Sequence, residues 1–120
     1  MNYLRLLKNH LNEQEYRMII RQFSCFSPYF QLSSLCYFHK CLCHMKSHLK
    51  VSCYVLFVSC TILSVKYLSD SRSTLKQFSQ LTKIPLLVLK ENERQLLRFL
   101  KFNLAISEKE FLAVKALYNK

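Results

Sequence analysis

A single ammonium, Lys66, closes the most apolar stretch of the chain, SCTILSVKYLSD from Ser59 to Asp70, which ends a run uncharged from Val51 to Val65. Lys66 follows Ile62 and Leu63 by one helical turn, on apolar surface rather than on a separate polar face. It must therefore extend to the rim of a core or meet an anion. Glu93 is the matching oddity. Helical spacing places it in a stripe of Leu86, Leu89, Leu96, Leu97 and Leu100, four residues from Leu89 on one side and from Leu97 on the other. Two readings follow: a partly exposed ion pair contributing less than about 1 kcal/mol, or a donor and an acceptor flanking a groove and offered to a partner's backbone. The residues alone leave both open.

Cys41, His44 and His48 are three and four residues apart, so they share a face if their helix continues that far, and Cys43 or Cys36 could complete a zinc set. The competing reading is thiols packed in a core and histidines in solvent. For catalysis the chain is poor. Asp70 is its sole aspartate, it has no glycine from which to build a phosphate loop, and no Cys–His pair stands in a nucleophile's context. The expectation is a protein that is not an enzyme and needs no cofactor.

These residues must be positioned by a small helical scaffold. The chain has 120 residues, enough for one core, and with two prolines and no glycine it lacks the turn chemistry of a β-sandwich. Eighteen Lys and Arg against seven Asp and Glu give a net charge of +11, which attracts phosphates, anionic lipid or acidic protein surfaces. The basic residues are scattered along the chain and form no basic arm. Six cysteines could make a secreted disulfide framework, but the start, MNYLRLLKNHLNEQ, becomes charged before any apolar core of a signal peptide, so a reduced intracellular protein is expected.

Punctuation divides the chain into helices. Asn12 with Glu15 is a capping box opening a helix from Glu13 to Cys25. Ser27 and Pro28 are an N-cap and a first-turn proline, opening a second helix to Met45. A third runs from Val51 to Leu68, Thr74 caps a short fourth, Pro85 starts a fifth to Phe102, and Ser107 with Glu110 opens a terminal helix to Tyr118. Leu4, Leu7 and Leu11 predict an amphipathic helix before them. The third helix is apolar around its whole circumference, through Tyr54, Val55, Leu56, Phe57, Val58, Ile62, Leu63 and Val65, and so belongs inside a bundle or a membrane. Fifteen uncharged residues are too few to span a bilayer, and Gln22 to His39, though long enough, holds Pro28, Gln31 and four serines. A central helix wrapped by the others is the expectation.

The segments SCTILSVKYLSD and TLKQFSQLTKIPLLVLKENERQLLRFLKFNLAISEKEF resemble the second half of a cyclin box, in which LxSKYLxD is followed by a short helix and then by LxxxExxLLxxLxFxLxVSxxEF. They are most similar to the single-box cyclins of the phosphate-pathway and cyclin Y type, which share NERQ-L and an FN followed by a cap and EF. The resemblance covers Val51 to Phe111, about half the chain. Before that, it rests on helix order and on Tyr37, Phe38, His39 and Lys40, where histidine replaces the family's acidic residue.

The resemblance implies a five-helix cyclin box over residues 12–106, preceded by a short N-terminal helix at 1–11 and followed by a C-terminal helix at 107–120, all-α throughout. It implies a regulatory subunit of a cyclin-dependent protein kinase. Lys66 and Glu93 would hydrogen-bond the backbone at the start of the kinase's regulatory helix, and Leu63, Tyr67, Leu97 and Leu104 would form the pocket for one of its side chains. The alternative is a cyclin-fold transcription adaptor whose basic surface meets nucleic acid. A nuclear or cytoplasmic location, no membrane span and no homo-oligomer are expected.

Overall fold

Asn12 stands in extended backbone and accepts the Glu15 amide at 2.8 Å, while the Glu15 carboxylate receives the Asn12 amide at 3.4 Å. This reciprocal cap satisfies two N–H groups that a first turn leaves without partners, and it begins α1 (Glu13–Phe23). Ser27 accepts from the Phe30 amide at 3.4 Å and Pro28 follows as the first residue of α2 (Pro28–Met45). Then come α3 (Cys53–Leu68), α4 (Thr74–Thr82), α5 (Leu86–Phe99) and α6 (Glu108–Tyr118). The computed structural model describes residues 3–8, 10–24, 26–45, 53–68, 74–101 and 103–118, with the side chains of 42–45, 68, 74 and 118 outside that description. Among the described residues every regular element is helical.

The N-terminal segment is helical, as a 3₁₀ turn over Tyr3–Leu7. The tighter winding stacks residues three apart, so Leu4 and Leu7 both enter the core, where each has no exposed surface. α5 stops early, at Phe99 instead of Phe102, because Lys101 takes a left-handed backbone at φ 55°. Lys83, after α4, does the same at φ 61°. Glycine ordinarily fills such helix-ending positions, and a chain without glycine must place other residues there.

α3 packs against α2, α4 and α5 and is buried without a break from Leu56 to Ser64. α2 is buried as continuously, from Gln31 to Phe38, and packs against α3, α6 and the 3₁₀ turn. The core is thus a pair of helices rather than one. Polar residues enter it because each is satisfied locally. Ser33, Ser34, Ser59 and Thr61 donate to the carbonyl one turn back at 2.7–3.0 Å, and Ser34 meets Ser64 across the α2–α3 seam at 3.1 Å. Gln31 accepts the Tyr3 amide at 3.0 Å and donates to the Phe26 carbonyl at 3.0 Å, tying the N-terminal turn to α2. Phe23, Phe38, Phe57 and Phe78 add ring contacts at 5.9–6.0 Å.

The four described cysteines, Cys36, Cys41, Cys53 and Cys60, are free thiols. Burial pushes Cys36 up to about 11 and raises Cys60 well above its ordinary range, so both stay neutral and pack as small apolar groups. No helix among the described residues is long and apolar enough to cross a membrane.

Candidate functional site

α3 delivers three consecutive turns to one end of the molecule. Ile62 and Leu63 are buried, at 0% and 2% exposure, and one turn later Lys66 emerges. Its Nζ donates to Glu93 Oε1 at 2.8 Å, joining α3 to α5. The two side chains are unequally placed: Lys66 keeps 36% of its surface and Glu93 only 13%. The carboxylate is therefore sunk beside the leucines of α5, and the ammonium covers it from the rim. Only one of three ammonium protons is used, and the carboxylate retains acceptor sites, so both groups can bond a third party without parting.

Tyr67, the next residue on α3, is 53% exposed and enters an open groove of about 570 Å³. Tyr29 and Ser33 of α2 form one wall, while Phe111, Leu112 and Lys115 of α6 form the other. The Tyr29 and Phe111 rings lie 5.8 Å apart, and Leu112 is 53% exposed. Of the pocket residues suggested by sequence, Tyr67 alone lines this groove. Leu63 is core, and Leu97 and Leu104 are half-buried against it. The Leu104 carbonyl accepts the Tyr37 hydroxyl at 2.6 Å, which fixes the strand of chain between α5 and α6. Burial holds the Tyr37 hydroxyl well above its ordinary range, so it is a lasting donor.

Sequence reasoning missed the contribution of α6. Ser107 accepts the Glu110 amide at 3.1 Å, but the Glu110 carboxylate is engaged by Lys40 of α2 at 2.8 Å instead of returning to Ser107. That ion pair docks α6 on α2 and so builds the groove. Its signal was Lys40 within an otherwise uncharged helix. His39, beside it, faces His10 with ring centroids 6.1 Å apart, and its Nε2 is buried without a hydrogen-bond partner. Burial, and then the neighbouring His10, lower its pKa below the usual 6.5. Of the candidate zinc ligands, His48 and the side chains of Cys43 and His44 lie outside the described residues, while Cys36 and Cys41 are buried in the core. The described residues hold no group of three or more His, Cys, Asp or Glu suited to a metal ion.

Among the described residues the domain is all-helical, with a buried helix pair and an ion-paired lysine and glutamate joining α3 to α5. The family model for cyclins matches residues 2–104, and the chain belongs to the cyclin family. Comparison with curated proteins and with solved structures gave no match.

Proposed function

We propose that this cyclin binds and activates a cyclin-dependent protein kinase, with Lys66 and Glu93 gripping the end of the kinase's regulatory helix. The observation that carries the reading is the succession of Lys66 and Tyr67 on α3: the first pairs with Glu93, and the second lines a groove whose walls include aromatic and aliphatic side chains. The start of a helix exposes N–H groups with no intrahelical partner, which the Glu93 carboxylate can accept, while the Lys66 ammonium can donate to carbonyls of the chain that enters the helix. Burial of an apolar side chain in the groove supplies the affinity that exposed charges lack. The effect on the kinase is allosteric: its helix is held where its own catalytic Lys and Glu can pair. The protein acts as a regulator rather than a catalyst, in the nucleus or cytoplasm where such kinases work.

The test is purification of the tagged chain from its native cell, followed by identification of bound kinases and a phosphotransfer assay with and without the chain. A cyclin-dependent kinase that is recovered and stimulated is the expected result. Recovery without stimulation would reduce the role to that of an adaptor, and a defined nucleic acid recovered in place of kinase would favour the transcriptional reading.

A further inference from the structure

Glu93 turns toward α3, but an adjoining, solvent-facing stripe of α5 carries a different pattern. Lys90, Arg94 and Arg98 recur every four residues along it, and Lys101 follows just beyond the helix end at Phe99. All four are exposed. From Lys90 to Arg98 the stripe runs about 12 Å along the helix. Glu91 is the one carboxylate on this face of α5, and it is already engaged, by Arg94 at 3.8 Å and by the Gln95 amide at 3.1 Å. Lys83, exposed in the turn before α5, extends the basic surface at its N-terminal end. Exposed aliphatic side chains flank that same turn: Leu81 at 45%, Leu87 at 78% and Val88 at 41%.

We infer that this corner of the molecule, the outer face of α5 with the α4–α5 turn, docks on an anionic lipid surface. Lys83, Lys90, Arg94, Arg98 and Lys101 make five exposed cations at this corner, and four to eight clustered cations suffice for attraction to acidic headgroups, each contributing about a fivefold gain in partition. The aliphatic side chains give the interaction its second component, since Leu87 and its neighbours can enter the acyl boundary while the lysines remain at headgroup level. Nucleic acid fits the surface less well. No described aromatic side chain stands exposed on the stripe to stack a base, and the exposed leucines would have nothing to do. An acidic peptide with apolar anchors would want a concavity, and the groove beside Tyr67 includes none of Leu81, Leu87 and Val88. A convex, basic face with aliphatic tips suits a plane.

The experiment is co-sedimentation of the whole chain with vesicles of phosphatidylcholine alone and with about a third phosphatidylserine. Binding is expected to the anionic vesicles only, and to fall with added salt. Lys90→Gln with Arg98→Gln should weaken it about 25-fold, at about fivefold per cation. Leu87→Gln should weaken it about tenfold through lost apolar burial. Lys8→Gln with Lys109→Gln, which removes the same charge from the N-terminal turn and α6, elements packed on α2 and on each other, should leave binding within about twofold. Circular dichroism establishes that each variant is folded. The proposal is overturned if the chain ignores anionic vesicles, if the two double variants weaken binding equally, or if an oligonucleotide or polyglutamate competes it away in preference to lipid. None of these readouts involves kinase, so failure here leaves the clamp untouched.

Discussion

His39 occupies a position where a histidine has little support. Its Nε2 is buried and unpartnered, it faces the His10 ring, and the nearby Lys40 ammonium is already committed to Glu110. A charged imidazolium is disfavoured there, so the folded-state pKa lies below the ordinary 6.5. The unfolded chain then binds more protons than the folded one as pH falls past that value, and stability must decline with acidification. The loss begins below the unfolded pKa and is complete only below the depressed folded one. Thermal melts from neutral to mildly acidic pH should show a falling midpoint, and His39→Gln should flatten the slope. A midpoint as steeply pH-dependent in the variant would assign the effect to another group.

The same scale shows what could be read from single residues. Lys66 and Glu93 were legible because each violates the pattern around it, one charge in each of two apolar stripes, and the structure joins them at 2.8 Å. Lys40 violates its surroundings just as plainly. Its partner was hidden because Glu110 already had a satisfactory local explanation as a capping residue, and only tertiary packing shows the carboxylate serving α2 instead.

At the scale of elements, helix starts were well marked by Asn12, Ser27, Pro28 and Ser107, since caps are written in local sequence. Helix ends were less so, because without glycine the left-handed positions at Lys83 and Lys101 carry no distinguishing residue type. The burial of α2 was also obscured. Gln31, Ser33 and Ser34 read as polar, yet each hydroxyl or amide finds a backbone partner and enters the core. In α3 the apolar circumference was sufficient. Val58 and Ile62 have no exposed surface, so an aspartate at either place would leave an uncompensated charge in the core. Val58→Asp or Ile62→Asp should cost more than about 3 kcal/mol and abolish the cooperative melt followed by circular dichroism. An unchanged melt would remove α3 from the centre of the domain.

α6 supports a separate prediction, because it walls the groove with a residue the fold does not need. Leu112 is 53% exposed, so Leu112→Asp should leave stability within about 0.5 kcal/mol. Kinase affinity should nevertheless fall by about tenfold or more, as a charge enters the apolar part of the interface. Surface-binding assays on variant and parent decide this, and equal affinities would place the kinase elsewhere than in the groove.

The whole molecule arranges different chemistry on different faces. A buried pair of helices, α2 and α3, holds the end of α3 rigidly, so the clamp and the groove keep their spacing before any partner arrives. The net charge of +11 includes Lys90, Arg94 and Arg98, exposed along α5. The domain's all-helical class was legible in the absence of glycine and the run of caps. That the groove would take half its wall from α6 was not, because it depends on how the chain between α5 and α6 is pinned by Tyr37.

The account rests on the Lys66–Glu93 pair serving a partner more than the fold, and that division can be measured directly. Glu93→Ala should leave the thermal midpoint almost unchanged, while Lys66→Ala, which leaves a carboxylate only 13% exposed without its partner, should destabilise the fold by about 1 to 3 kcal/mol without unfolding it. Binding to the co-purified kinase, titrated side by side with the melts, should weaken by about 2 to 5 kcal/mol for either variant, because truncation strands a charge within the closed interface. Variants that bind kinase as tightly as the parent, or that unfold, would contradict it.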